Sequence, residues 1–126
     1  MKIVVDRNVP FLEGVFEPYA EIVYMDGREI SHEDVKDADA LIIRTRTRCD
    51  AALLEGTSVS MIATATIGTD HIDMDYCRSK GIMVHNAEGC NAGGVLQYVF
   101  SALYGVASRK AIKLNRYLKR HLILLL

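Results

Sequence analysis

The stretch Lys2-Ile-Val-Val-Asp6 decides the fold, because a short β-branched apolar run is typical of a strand that is buried on both faces of a parallel sheet. Similar runs recur about twenty residues apart, which leaves room for one helix in each gap. They cover residues 21–25, 40–44, 59–63 and 81–85. Alternating strands and helices imply right-handed crossovers and a parallel sheet. We therefore predict an α/β fold: a flavodoxin-like parallel sheet of about five strands with flanking helices, followed by a long C-terminal helix.

The gaps between these runs carry helix signals. Residues 10–20 place apolar side chains at helical spacing, which predicts a helix there. Ser31 and Asp34 form a variant of the capping box in which Asp replaces Glu. The other predicted helices, each with a start or stop signal at one end, cover residues 50–55, 73–80 and 91–107.

Composition indicates one globular domain. The chain has 126 residues, of which 50% are hydrophobic and 25% charged, a balance that excludes a disordered polymer. Three scattered cysteines without CxxC spacing fit a reducing compartment, so we expect a cytoplasmic protein. No apolar run approaches the ~20 residues that a membrane span needs.

Charge is divided unevenly along the chain. The first 88 residues hold all sixteen acidic residues and nine basic ones, a net charge of −7, whereas the remainder holds six basic residues and no acidic one. Such segregation can mark a nucleic-acid-binding tail or a segment whose normal partner is absent. Tyr117 is the one aromatic residue of the basic tail, which argues against a stacking surface for nucleic acid.

Two predicted strand ends carry anion donors, and ligands of open parallel sheets bind beyond such carboxyl ends. Residues 44–48 alternate three arginines with two threonines, which can bind a carboxylate or phosphate or can form an exposed loop paired with acidic groups. Residues 64–70 can close their N–H groups on an anion, with Gly68 allowing a tight turn. The same residue types also serve ordinary turns and helix caps, so the sequence leaves these alternatives open.

Other candidates for chemistry are weaker. His71 and Asp73 are two residues apart and do not share a helix face, and no cluster has zinc-site spacing, so we predict no metal and interpret His71 as a surface or turn residue. Cys90 precedes a predicted helix, which can lower a thiol pKa, but it lacks an assigned base and we expect a buried structural thiol. Neither a GxGxxG nor a GxxxxGK[ST] motif occurs, so we do not expect these residues to hold a dinucleotide unaided.

Four stretches together resemble a known family. They are Met1-Lys-Ile-Val-Val-Asp6 with Asn8 and Pro10, residues 37–44, residues 63–73 (ATATIGTDHID), and residues 86–91 (NAEGCN) followed by Gln97-Tyr-Val99. This pattern resembles the N-terminal part of the erythronate-4-phosphate dehydrogenases, which are D-2-hydroxyacid dehydrogenases, from residue 1 to about 114. The resemblance implies a substrate-side (catalytic) domain at 1–90, a linking helix at 91–114 and an atypical basic, leucine-rich tail at 115–126.

The resemblance also implies an activity. Members of this family are homodimers that oxidise 4-phospho-D-erythronate with NAD to 2-oxo-3-hydroxy-4-phosphobutanoate, a step of pyridoxine and pyridoxal phosphate biosynthesis. In the resemblance, Thr45 and Thr66 match substrate-binding positions. Arg44, Ile67 and Gly68 are neighbours with a weaker claim to the same role.

Departures from the family pattern limit what these residues do alone. Family chains are about three times as long and continue into a Rossmann domain, which carries the NAD-binding and catalytic groups and has no counterpart here. We therefore expect a truncated, inactive form without a bound cofactor, caused by a truncation or frameshift near Leu114. Glu88 also replaces the proline expected in an NAPGCN-like turn. The alternative is a noncatalytic module that dimerises through the apolar stripe of residues 91–107.

Overall fold

A computed structural model describes residues 1–109, which divide into a unit from Met1 to Glu88 and a second unit that begins at Gly89. The first unit holds the sheet, and the second holds a long helix. The predicted tail at 115–126 and the end of the predicted linking helix at 110–114 lie outside the described residues.

The first unit is built on a five-stranded parallel sheet in the order β2-β1-β3-β4-β5, which confirms the predicted flavodoxin-like arrangement. All five predicted strands are present. They are β1 (Lys2–Asp6), β2 (Glu21–Met25), β3 (Ala40–Ile43), β4 (Met61–Thr64) and β5 (Met83–His85).

The central strands β1 and β3 are mostly buried, as their unbroken apolar runs predicted, whereas the edge strand β5 is largely exposed. In β1, Val4 packs into one core cluster, whereas Ile3 and Val5 pack into another. Leu41 and Ile62 of the neighbouring strands are fully buried, and each such side chain contributes roughly 1.5–3 kcal/mol by leaving water. The strand ends that carry the candidate site are therefore fixed to a rigid base.

Three short helices follow local capping signals. Ser31 and Asp34 form the predicted capping box before the first helix, and Asp50 accepts hydrogen bonds from two N–H groups of the second. Asp73 caps the third helix, which ends before Gly81 at φ 70°. The helices are α1 (His32–Val35), α2 (Ala51–Leu54) and α3 (Met74–Ser79).

The helix predicted at residues 10–20 is wrong, because this segment forms successive turns. Phe11 and Gly14 adopt φ angles of 64° and 81°, and residues in the left-handed region cannot continue a right-handed helix. The apolar side chains that suggested a helix do not form a buried stripe, since Phe11 and Tyr19 are largely exposed.

The second unit contains α4 (Ala92–Arg109), which agrees with the predicted long helix. Val95 N–H donates to the carbonyl oxygen of Asn91 at 3.0 Å, so the helix begins where the sequence indicated. Several large apolar side chains of α4 are 44–75% exposed, namely Val95, Leu96, Tyr98, Val99, Leu103, Tyr104 and Val106. Among residues 1–109, no helix is both long and apolar enough to cross a bilayer.

Candidate functional site

The two threonines singled out in the sequence follow neighbouring strands at matching positions. Ile43 of β3 pairs with Thr64 of β4, and Thr45 and Thr66 each come two residues later. Both therefore lie beyond the carboxyl edge of the sheet, where ligands of this architecture bind. Thr45 is exposed and Thr66 is half-buried, so both lie within reach of solvent.

The loop that follows β4 is tied to its neighbours on both sides. Ala65 N–H donates to the Ile43 carbonyl oxygen at 2.9 Å, and Ala87 N–H donates to the Thr66 carbonyl oxygen at 3.0 Å. The Asn86 side chain donates to the Ile67 carbonyl oxygen at 2.8 Å. These bonds hold residues 65–68 in one conformation, with Ile67 and Gly68 exposed.

Gly68 contributes space at this loop. Its φ lies outside the left-handed region, so the turn does not require glycine for its backbone conformation. A Cβ built at Gly68 would have Asp70 Oδ2 as its nearest neighbour, at 3.9 Å. The glycine therefore leaves room for another group to approach the loop.

A chain of hydrogen bonds runs through the site from His71. Thr64 Oγ1 is buried and lies 3.1 Å from His71 Nε2 and 2.7 Å from Thr66 Oγ1. Thr66 Oγ1 in turn donates to the Gly68 carbonyl oxygen at 3.1 Å. His71 is half-buried, and this burial lowers its pKa. The prediction of a surface or turn residue missed this contact with Thr64.

The three arginines after β3 have different environments. Arg44 Nη1 donates to the Asn8 carbonyl oxygen at 2.9 Å, which links the ends of β3 and β1. Arg48 Nε pairs with Asp50 at 2.9 Å. Arg46 is exposed, and its side chain has neither a hydrogen bond nor an ion pair to any residue within 1–109. The ion-paired interpretation thus holds for Arg48 but not, within residues 1–109, for Arg46.

The end of β1 carries a buried carboxylate that sequence reasoning did not single out. Asp6 Oδ1 accepts from the N–H and the side-chain amide of Asn8, whereas Asp6 Oδ2 is buried without a hydrogen-bond partner within the described chain. Beside it, Thr47 Oγ1 donates to the Gly27 carbonyl oxygen at 2.8 Å. A dinucleotide-binding fold needs a glycine turn after its first strand, so a buried carboxylate there does not fit the pyrophosphate of NAD.

A small pocket of about 170 Å³ lies near the carboxyl edge of the sheet, but its charge does not suit an anion. It forms where Cys49 N–H donates to the His71 carbonyl oxygen and Asp73 N–H donates to the Cys49 carbonyl oxygen, both at 2.8 Å. Its lining combines one arginine with three carboxylates: Arg48, Cys49, Asp50, Asp70, His71, Ile72 and Asp73. The three carboxylates therefore disfavour an anionic ligand in this pocket.

Cys90 is exposed, so the expected buried thiol is wrong, because the segment 86–91 lies at the surface. No group of three or more His, Cys, Asp or Glu side chains among residues 1–109 has a geometry that can hold a metal ion.

Curated relatives match over most of this chain. An erythronate-4-phosphate dehydrogenase of Bacteroides fragilis is 51% identical over 117 residues, which cover 92% of this chain and 34% of the relative. An erythronate-4-phosphate dehydrogenase of Saccharophagus degradans is 52% identical over 103 residues, which cover 82% and 28% of the two chains. The chain thus spans about a third of the length of the curated relatives it matches.

Solved structures agree with the fold. NAD-bound 3-phosphoglycerate dehydrogenase of Entamoeba histolytica superposes with a TM-score of 0.62 at 30% identity, covering 92% of this chain and 42% of that one. D-lactate dehydrogenase of Aquifex aeolicus, complexed with NAD and lactic acid, gives 0.56 at 21% identity over 91% and 39% of the chains.

The model of one family, the D-isomer specific 2-hydroxyacid dehydrogenase catalytic domain, matches residues 4–114. This family consists of NAD-dependent oxidoreductases. With relatives at about 50% identity over most of its length, the chain belongs to the D-isomer specific 2-hydroxyacid dehydrogenases.

Proposed function

We propose that these 126 residues form the substrate-binding lobe of an erythronate-4-phosphate dehydrogenase and bind 4-phospho-D-erythronate through Thr45 and Thr66. Arg44, Ile67 and Gly68 shape the same edge of the sheet. The proposal extends to the activity of the relatives, which is the NAD-dependent oxidation of this sugar acid in pyridoxine biosynthesis by a cytoplasmic homodimer.

The observation that carries this proposal is the matching position of the two threonines beyond paired strands β3 and β4. A sugar acid phosphate presents a carboxylate, hydroxyls and a phosphate, all of which accept hydrogen bonds. Hydroxyl donors from two adjacent loops can bind such a ligand at two points. The exposed Arg46 lies in the first of these loops and adds a positive charge that attracts an anion.

Calorimetric titration of the 126-residue chain with 4-phospho-D-erythronate tests the binding role. Thr66→Val removes the hydroxyl at nearly constant shape and should weaken binding about 10- to 100-fold, since a hydrogen bond to a charged group contributes roughly 1.5–3 kcal/mol. Thr57→Val is the matched control, because the Thr57 hydroxyl donates to the Leu54 carbonyl oxygen at 2.9 Å before β4, at the other end of that strand. Equal binding by both variants would refute the proposal.

We further propose that these residues by themselves do not turn over the substrate. The end of β1 does not fit a dinucleotide, and the family resemblance assigns the NAD-binding and catalytic groups to sequence that has no counterpart among these 126 residues. Incubation with 4-phospho-D-erythronate and NAD should therefore produce no NADH absorbance above a control without protein. Turnover above that control would contradict this part of the proposal.

A second candidate function is dimerisation through α4, favoured by its exposed apolar side chains. Val95, Val99 and Leu103 recur every four residues and therefore share one helix face. Sedimentation velocity should detect a dimer that Val99→Asp dissociates and that the control Gln97→Glu retains. A monomeric unmodified chain would exclude this function.

A further inference from the structure

We propose that His71 is a positioning residue for the anion site: through Thr64, its Nε2–H sets the direction in which the Thr66 hydroxyl donates. The inference rests on the proposed binding role of Thr66. It adds a residue that does not itself touch the ligand.

The direction of the hydrogen-bond chain follows from counting protons. The Gly68 carbonyl oxygen can only accept, so the single hydroxyl proton of Thr66 points towards it. Thr64 must then donate its own proton to Thr66 Oγ1, at 2.7 Å. Thr64 Oγ1 is left as an acceptor for His71 Nε2 at 3.1 Å, which requires that this nitrogen carry a proton.

This direction matters to an anion because Thr66 ends the chain as a donor. A ligand oxygen that approaches the exposed Gly68 can take over the Thr66 proton from the Gly68 carbonyl oxygen. If His71 Nε2 carried no proton, Thr64 would donate its hydroxyl proton to that nitrogen. Thr66 could then donate its own proton to Thr64 Oγ1 instead of to the Gly68 carbonyl oxygen. Thr66 would then present only its oxygen lone pairs to the ligand. The charged oxygens of an anion are themselves acceptors, so they need a hydrogen-bond donor and not a second acceptor.

Burial of the hydrogen-bonded side chains strengthens the effect of His71 on the direction in which Thr66 donates. Thr64 is 3% exposed, so water does not compete freely for its hydroxyl, and an unsatisfied hydroxyl there would be costly. Asp70 is the acidic neighbour that acts on the imidazole, and its charge favours protonation against the effect of burial. Both the imidazolium and the neutral Nε2–H tautomer keep the required proton, and the Nδ1–H tautomer does not.

The test combines a spectroscopic and a binding measurement on the full 126-residue chain. Long-range ¹H–¹⁵N NMR at neutral pH should find His71 protonated at Nε2. In calorimetric titration with 4-phospho-D-erythronate, His71→Leu should weaken binding about tenfold, because Thr66 loses its bias towards donation. His71→Gln retains a side-chain N–H donor and should restore most of the affinity, a rescue that lost packing alone would not produce.

Thr64 gives an independent second arm. Thr64→Val removes the middle hydroxyl of the hydrogen-bond chain and should weaken binding as much as His71→Leu does. Thr64→Ser keeps this hydroxyl, so this variant should bind the ligand like the unmodified protein. Combining His71→Leu with Thr64→Val should cost no more than either change alone, because both remove the same effect.

The outcomes separate this inference from the proposed function. Unchanged binding by His71→Leu or by Thr64→Val, or an Nδ1–H tautomer, overturns the positioning role and leaves the proposed ligand intact. No binding by the unmodified chain overturns the ligand and the positioning role together. If His71→Leu fails to fold, Thr64→Val and the NMR spectrum of the unmodified chain decide the matter.

Discussion

Gly27→Ala tests the packing beneath the end of β1. A Cβ at Gly27 would lie 2.6 Å from Asp6 Oδ2 and 3.1 Å from Thr47 Oγ1. Ordinary van der Waals contact begins at 3.4 Å, so the carboxylate would have to move by about 0.8 Å. All three residues are buried, which leaves the carboxylate no solvent into which it can turn.

The expected loss is about 3 kcal/mol in the free energy of unfolding. Overpacking a well-filled interior costs roughly 1–3 kcal/mol, and displacement of Asp6 also weakens its hydrogen bonds to Asn8, each contributing about 1 kcal/mol. The φ of Gly27 is not in the left-handed region, so contact rather than backbone strain is the cause.

Urea denaturation followed by far-UV circular dichroism measures this loss. Gly68→Ala is the matched control, because its nearest contact would be 3.9 Å away, and it should stay within about 0.5 kcal/mol of the unmodified chain. In an Asp6→Ala background the cost of Gly27→Ala should fall by more than about 1 kcal/mol, since the obstructing carboxylate is gone. An unchanged midpoint for Gly27→Ala, or the same cost in both backgrounds, would refute the reasoning.

Three further predictions concern local features of the first 109 residues. Asp50→Ala removes the N-cap of α2 and should lower the free energy of unfolding by about 1 kcal/mol in the same urea assay, whereas an unchanged midpoint would contradict the capping role. Iodoacetamide at about pH 8 should label the exposed Cys90 well before Cys49, because burial raises the pKa of Cys49 to about 12, and peptide mass spectrometry would reveal simultaneous labelling if this is wrong. Tyr76→Phe removes the 2.6 Å hydrogen bond that lowers the pKa of Glu55, and NMR titration should find that pKa raised. Because a lowered carboxyl pKa contributes stability that is present above the unfolded value of about 4.5 and lost on acidification, the variant should lose less stability as the pH falls.

The strands could be predicted because each one is a compact apolar run whose burial on two faces needs no knowledge of its neighbours. β1 and β2 have the bounds that the sequence indicated, and β4 begins two residues later than predicted. The helix predicted at residues 10–20 was wrong because the apolar spacing there is helical, whereas Phe11 and Gly14 adopt left-handed backbone conformations. Side-chain spacing carries no information on φ, so periodicity alone could not reveal these turns.

The candidate site was predictable in part. The strand-end rule and the residue types pointed to the segments 44–48 and 64–70, and the family resemblance selected Thr45 and Thr66 within them. The pairing of β3 with β4 explains why both threonines lie at one edge. The role of His71 could not be read from the chain, because its partner Thr64 lies seven residues away across a loop. The unpartnered oxygen of Asp6 was equally hidden, since burial of a polar atom depends on the whole packed fold.

The position of β1 between β2 and β3 has a consequence for how the chain reaches its folded state. β1 precedes both of its partner strands in the chain, so its two edges stay unpaired until residues 21–25 and 40–43 have been synthesised. During synthesis the N–H and C=O groups on both edges of β1 therefore lack partners for a time. Such unpaired edges favour binding by chaperones or by other nascent chains. Loss of β1 would split the sheet through its interior rather than shorten it at one margin.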